Sequence, residues 1–246
     1  MNKSPVSRPT EQRYDDYTAE DFLVWKTLFN RQTELLNSTA CSEFLNALKV
    51  VGFTADAIPD FTQIKQALQP LTGWQLQTVP NISEQKEFFT FLSQKKFTAT
   101  CWLRKMEQLD YLEEPDMFHD VFGHVPLLSN KPYTDFFEAI SHIALAHIDN
   151  PKAIELLGRI YWFTIEFGLI REHRKLRIYG AGIISSYGET KNCLSDNTTI
   201  YEFDVSRIID TDFRTDILQD KYFAIESYDQ LYRSIPIIKN ELAKRI

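Results

Sequence analysis

The sequence predicts a mainly α-helical single domain carrying a few short β-strands. Three observations lead there. Apolar residues recur at helical spacing through most of the chain, and strand-like alternation is confined to short runs. No repeat, low-complexity tract or linker rich in Pro, Gly or Ser divides the 246 residues, a length suited to one large domain.

The first 14 residues lack the apolar core of a signal peptide and read as a disordered lead-in to a domain spanning 15–246. Thr18 caps a first helix, with Asp21 closing a variant of the capping box, and Phe22, Trp25 and Phe29 follow at helical spacing. A second helix is expected from about Cys41 to Val51, stopping at Gly52, and a third from about Thr62 to Leu71, stopping at Gly73. "WQLQTV" alternates as a strand, "SEQKEFFTFLSQKK" reads as a helix, and "FTATCWLR" (Phe97 to Arg104) reads as another strand. Two long helical patterns come next, "TDFFEAISHIALAHID" and "KAIELLGRIYWFTIEFGLIREH", parted at Asn150-Pro151. The three glycines of "RIYGAGIISSYGE" mark a backbone that bends tightly or approaches something closely. A strand at "TIYEFDV" and a helix from about Tyr228 complete the pattern.

Composition narrows the function. Lys and Arg number 27 against 34 Asp and Glu, a net charge of -7, which argues against a non-specific nucleic-acid binder. No apolar run approaches the roughly 20 residues of a membrane span. Cys41, Cys101 and Cys193 are odd in number and form no C-x-x-C pair, which fits a reducing cytoplasm and excludes a cysteine-built zinc site. The expected protein is soluble, acidic and cytoplasmic.

Five histidines include two pairs at the same spacing: His119 and His124 in "PDMFHDVFGHVPLL", His142 and His147 in "SHIALAH". On a regular α-helix, residues five apart point ~140° away from each other. Neither pair can grip one ion unless the backbone departs from regularity. The second pair sits in an unbroken amphipathic helix and reads as ordinary core or surface histidines. In the first, Gly123 precedes His124 and Pro126 biases Val125 away from helix, so the helix can end there and turn the second imidazole back. Asp116 and Asp120 are placed to accept the free N–H groups of the imidazoles. A helix end holding two hydrogen-bonded histidines stays open as the alternative. The H-E-x-x-H pattern is absent, and there is no sign of a Ser-His-Asp triad or a phosphate loop.

Glu166 is the outlier of "YWFTIEFGL", one carboxylate among large apolar side chains. A buried, unpaired carboxylate costs several kcal/mol or takes up a proton. Either a cation removes that cost or an arginine such as Arg159 or Arg171 pairs with it. Two imidazoles and one carboxylate with open positions make the facial triad of non-haem Fe(II) oxygenases.

"EEPDMFHDVFGHVPLL", "IYWFTIEFGLI" and "YGAGIISSYGE", in that order, resemble the signatures of the pterin-dependent aromatic amino acid hydroxylases, and among them the short bacterial members that act on phenylalanine. The resemblance covers roughly Tyr17 to Tyr232. It implies a mainly helical catalytic domain with a basket-like pocket around a non-haem iron, held by His119, His124 and Glu166. It also implies that Arg104 grips the substrate carboxylate, braced by Asp116, although Arg104 alone would read as a surface charge. Trp162 would line the amino-acid pocket and Ser185 would help hold the substrate's polar end. Phe88, Asp120 and Tyr161 would meet the pterin, Phe88 by stacking. Asp120 stands where glutamate is usual, and Leu112-Glu113 stands where the animal enzymes carry Thr-Pro.

The implied reaction is hydroxylation of L-phenylalanine to L-tyrosine with O2 and a tetrahydropterin, such as tetrahydrobiopterin, at Fe(II), the first step of phenylalanine catabolism. Two rivals stay open: a tryptophan or tyrosine hydroxylase of the same family, and a regulatory or protein-binding homologue with a vestigial site. The regulatory domain and long tetramerisation helix of the animal enzymes have no counterpart in this sequence. The expectation is a monomer or small homodimer, with no nucleic-acid or membrane partner.

Overall fold

The computed structural model describes residues 8–110, 112 and 114–246. Helix α1 (Ala19–Thr39) starts on the expected box: Asp21 N donates to Thr18 Oγ1 at 3.3 Å and Thr18 N donates to Asp21 Oδ2 at 2.8 Å. Its apolar stripe buries Val24, Trp25, Leu28 and Leu36. Helices α2 (Ser42–Val50) and α3 (Phe61–Leu68) follow, the second capped by Asp60. The glycines that end these turns, Gly52 and Gly73, sit at φ +70° and +78°, where a side chain would be strained.

Strand β1 (Gln75–Thr78), helix α4 (Gln85–Ser93) and strand β2 (Lys96–Ala99) form a parallel crossover. The expected strand to Arg104 stops at Ala99. Beyond it the backbone donors go to carboxylates instead of a ladder: Thr100 N to Asp120 Oδ2 at 2.8 Å and Arg104 N to Asp116 Oδ2 at 2.9 Å. Helix α5 (Lys131–Ala146) is capped by Asn130, and α6 (Pro151–Tyr161) by Asn150 with Pro151 in its first turn.

The second long helical pattern departs from expectation at its end. After α6 the chain passes through a wider π-helical turn (Trp162–Glu166) and becomes strand β3 (Gly168–Glu172). Apolar runs such as "FGLI" suit either state, and tertiary pairing decides. β3 pairs antiparallel with β4 (Lys175–Ile178) through a turn where His173 and Arg174 take positive φ, and parallel with β6 (Lys221–Ile225). β5 (Thr199–Glu202) joins β6 in parallel, giving the order β4-β3-β6-β5.

Short helices α7 (Ala181–Ile184) and α8 (Tyr187–Asn192) follow β4, α9 (Val205–Ile209) lies between β5 and β6, and α10 (Tyr228–Arg233) and α11 (Ile235–Ala243) follow β6. A single aromatic-rich core runs through all of it, with Trp25, Phe118, Phe122, Tyr133, Phe137 and Phe163 nearly or wholly buried. Among the described residues no helix is long and apolar enough to cross a membrane.

Part of the stretch expected as a lead-in is held against the domain. The Arg8 guanidinium lies 3.7 Å over the Trp102 ring and pairs with Glu114 and Asn81, while Gln12 donates to Pro59 O at 2.9 Å. Residues 1–7 of that stretch lie outside the described residues, as does Glu113.

Candidate metal centre

Two π-helical turns carry the three candidate ligands. The first, Phe118–His124, runs unbroken through Gly123, and Val125 remains helical at φ -60°, ψ -39° despite the proline after it. The expected helix end at this point is therefore corrected. Hydrogen bonding from i to i+5 places a residue five positions on about one turn along, on the same side. That winding, not a break, brings His119 and His124 together, with ring centroids 5.1 Å apart. The second turn closes with Phe167 N donating to Trp162 O at 2.8 Å and presents Glu166.

The glycine-rich segment explains how the two turns meet. A Cβ on Gly180 would lie 2.4 Å from Glu166 O and 2.5 Å from Gly168 N, so only glycine lets the chain pass there. Immediately beyond, α7 comes close to the first turn: a Cβ on Gly123 would lie 3.0 Å from Ala181 O. The close-approach reading of the segment holds at Gly180 and at Gly182, where a Cβ would lie 2.9 Å from Phe167 Cζ.

Glu166 Oε1 lies 3.1 Å from His124 Nε2 and Glu166 Oε2 3.8 Å from His119 Nε2. One ligand atom from each residue falls within 4.8 Å of the others, a group able to hold a metal ion. Neither candidate arginine pairs with Glu166: Arg159 binds Glu155 and Asp212, and Arg171 binds Glu202 and Glu226. Burial pushes the Glu166 carboxyl up, but His124, then His119 and the Tyr161 hydroxyl, outweigh it and hold the group at about 2. Desolvation lowers the His119 pKa against the pull of Glu166, favouring the neutral imidazole a metal requires.

The hydrogen bonds behind His119 select its tautomer. Ser185 Oγ donates to Ala181 O at 2.8 Å, so it can only accept from His119 Nδ1, also at 2.8 Å. The proton sits on Nδ1 and the Nε2 lone pair faces Glu166. Ser185, expected on the substrate, is thus placed on a ligand. Asp116 and Asp120, expected on imidazoles, do something else. Asp116 takes Arg104 Nε at 2.9 Å and Nη2 at 2.8 Å, a bidentate brace, and Asp120 Oδ2 accepts from Thr100 N and Oγ1, both at 2.8 Å. Among the described residues neither carboxylate accepts from an imidazole, and Asp120 Oδ1 is left without a hydrogen bond. His124 Nδ1 has no partner among the described residues, and the Phe97 ring packs on its imidazole at 4.7 Å.

A cavity of about 160 Å³ opens on this centre. His119, His124 and Glu166 line it together with Phe88, Asp120 and Tyr161, six residues singled out by the sequence. Ser83 also lines it, with its Oγ buried and without a partner among the described residues; a lone serine after "PNI" carried no signal in the sequence. Phe97 and Thr100 line it as well, both legible only as strand residues. Arg104, Trp162 and Ser185 are not on this wall. Trp162 stacks on Phe213 at 4.3 Å and packs on Phe167 at 4.5 Å. A larger cavity of about 400 Å³ between Arg13, Tyr17, Trp102 and Lys105 includes none of the expected site residues.

Known proteins resemble this chain over most of its length. The family model of biopterin-dependent aromatic amino acid hydroxylases matches residues 11–246. The chain is 44% identical over 223 residues to the phenylalanine-4-hydroxylase of Ralstonia nicotianae, covering 90% of this chain and 71% of that one. It is also 44% identical over 222 residues to the enzyme of Chromobacterium violaceum, covering 90% and 74%. The crystal structure of the C. violaceum enzyme with iron(III) and 7,8-dihydrobiopterin superposes with a TM-score of 0.90 at 42% identity, covering 97% of this chain and 87% of that one.

Proposed function

This chain belongs to the biopterin-dependent aromatic amino acid hydroxylase family, and from that premise we propose that it is a phenylalanine 4-monooxygenase. L-Phenylalanine, O2 and a tetrahydropterin give L-tyrosine and a 4a-hydroxypterin. The observation that carries the reading is the convergence of His119, His124 and Glu166 on the wall of a cavity that Phe88 and Tyr161 also line.

The residues fit both groups. Two neutral imidazoles and one ionised carboxylate suit Fe(II), and the Ser185 hydrogen bond leaves His119 Nε2 free to bind it. The cavity has the aromatic rings of Phe88 and Tyr161 on its wall for a flat heterocycle, and offers Asp120 and the Ser83 hydroxyl, unpartnered among the described residues, as polar contacts. Fe(II) and the reduced pterin together supply the electrons that activate O2. The protein's part is positional. Asp116 locks the Arg104 guanidinium, which holds the amino-acid carboxylate, and Trp162 bounds the aromatic side chain. Fixing the substrate beside the metal in this way is worth several kcal/mol of barrier.

An anaerobic Fe(II) titration followed by tetrahydropterin turnover on phenylalanine, tyrosine and tryptophan tests the reading. One equivalent of iron and tyrosine formation from phenylalanine is the expected result. Preferred turnover of tryptophan or tyrosine would assign a different member activity, and iron binding without turnover on any of the three would leave a vestigial site. The proposal includes a cytoplasmic enzyme that is a monomer or small dimer, with near-hyperbolic dependence on phenylalanine. A tetramer by light scattering with a steeply sigmoidal curve would contradict that part.

A further inference from the structure

The segment between α9 and β6 is surface-facing, with Ile217 and Leu218 about half exposed, yet one side chain inside it is almost wholly buried. Gln219 is 6% exposed, and every hydrogen-bonding group it has is used. Its Nε2 donates to Arg214 O at 2.7 Å and Ile217 O at 3.0 Å, which folds the segment around it. Its backbone N donates to Glu189 Oε1 at 2.8 Å, and its backbone O accepts from Asn192 Nδ2 at 2.7 Å. Glu189 is itself held by the Tyr222 hydroxyl at 2.5 Å, so α8 and β6 fix the hub from two sides.

The remaining group, Oε1, meets the Trp162 indole. Trp162 Nε1 donates to Gln219 Oε1 at 3.1 Å, and Phe213, from the same segment, stacks on the indole at an interplanar angle of 15°. Phe167 also packs on the indole, at 4.5 Å. Trp162 shares the π-helical turn with Glu166 and directly follows Tyr161 of the cavity wall. Its ring therefore has one orientation, set by a segment that contributes no residue to the cavity.

We propose that Gln219 is a positioning residue that fixes the Trp162 indole and, through it, the ring size the amino-acid site accepts. The inference rests on the reading of Trp162 as a wall of that site. Only an amide can serve here, because the position must accept one hydrogen bond and donate two at once. A glutamate keeps the acceptor and puts an anion against two carbonyls; a leucine keeps neither function.

The test compares Gln219→Glu, Gln219→Leu, Trp162→Phe and the Gln219→Leu/Trp162→Phe double variant with the wild type. It reads KM and kcat for phenylalanine and tryptophan, KM for the pterin, tyrosine formed per pterin oxidised, and iron content. Gln219→Leu is expected to raise the KM for phenylalanine about fivefold or more, the scale of one lost hydrogen bond. It should also lower the phenylalanine-to-tryptophan ratio of kcat/KM and the coupling, with pterin KM and iron content unchanged. Trp162→Phe, which leaves the bonds to Arg214 and Ile217 in place, should shift the ratio in the same sense, and the double variant should add little. Should Gln219→Leu not fold, Gln219→Glu and Trp162→Phe carry the same comparison. An unchanged ratio in an active variant, fully additive effects, or a loss spread evenly over phenylalanine, pterin and iron would overturn the proposal. A wild type that does not hydroxylate phenylalanine would instead overturn the function, and this inference with it.

Discussion

His119 and His124 are separated by the same number of residues as His142 and His147, and their fates are opposite. The second pair straddles the end of α5: His142 is exposed on its regular last turns, while His147, expected inside an unbroken helix, is the cap just past Ala146 at φ -122°, ψ 19°. The first pair belongs to a π-helical turn, and its imidazoles stand edge to face beside one carboxylate. Spacing alone does not make a ligand pair; spacing divided by the local helical period does. A π-helical turn is rarely stable by itself, so something outside it must favour the extra residue. Here the candidates are the close contact of Gly123 with Ala181 and the passage of Gly180 over Glu166.

The largest effect expected from breaking this contrast is at the ligands. His119→Ala, His124→Ala and Glu166→Ala should each abolish tight Fe(II) binding and turnover, because two remaining ligands do not hold a labile ferrous ion. Iron content after desalting measures it. Any of the three that retained stoichiometric iron would fall out of the ligand set.

Next comes the support of the turns. Gly180→Ala places a methyl 2.4 Å from Glu166 O, where only backbone could yield. Overpacking of this kind costs ~1–3 kcal/mol, and more where backbone must move. The variant should melt at lower temperature than wild type and, where it folds, bind iron more weakly. A variant with wild-type melting and iron affinity would show that the close passage is not what fixes Glu166.

These contacts also explain what could and could not be read from the chain. The Thr18 capping box and the stops at Gly52 and Gly73 are local devices, and they fall where expected. Glu166 stood out because a lone carboxylate in an apolar run needs a partner, and Asp116 meets Arg104 as the family resemblance implied. Three features were not legible. The π winding depends on α7, far along the chain, so the local signals of Gly123 and Pro126 pointed to a helix end instead. The switch from α6 to β3 depends on β4 and β6 flanking "GLIRE". The job of Ser185 depends on Ala181 O taking its proton, a fact of geometry that no residue type announces.

Ser185→Ala gives the third and smaller effect. It removes the acceptor that holds the Nδ1 proton of His119, leaving the tautomer and ring orientation free. Loss of such an outer hydrogen bond typically costs 10–100-fold in metal affinity or activity, by the order of magnitude seen at other metal sites. Competition with a chelator of known affinity measures it. Ser185→Thr, which keeps the hydroxyl, should restore most of the affinity. If alanine and threonine behaved alike, steric filling rather than the hydrogen bond would be the role of this position.

The smallest effect is expected at the control pair. His142→Ala exchanges an exposed imidazole for a better helix former on the solvent face of α5, and His147→Ala alters a partly exposed cap position whose backbone bonds to Ala144 and Leu145 remain. Surface changes of this kind usually stay within about 0.5 kcal/mol. Both variants should keep wild-type iron stoichiometry and turnover. The double variant should do the same, since neither side chain approaches the metal centre. If instead the double variant lost iron while His119→Ala kept it, the end of α5 would be the metal-binding element, and helical period would not decide which pair binds.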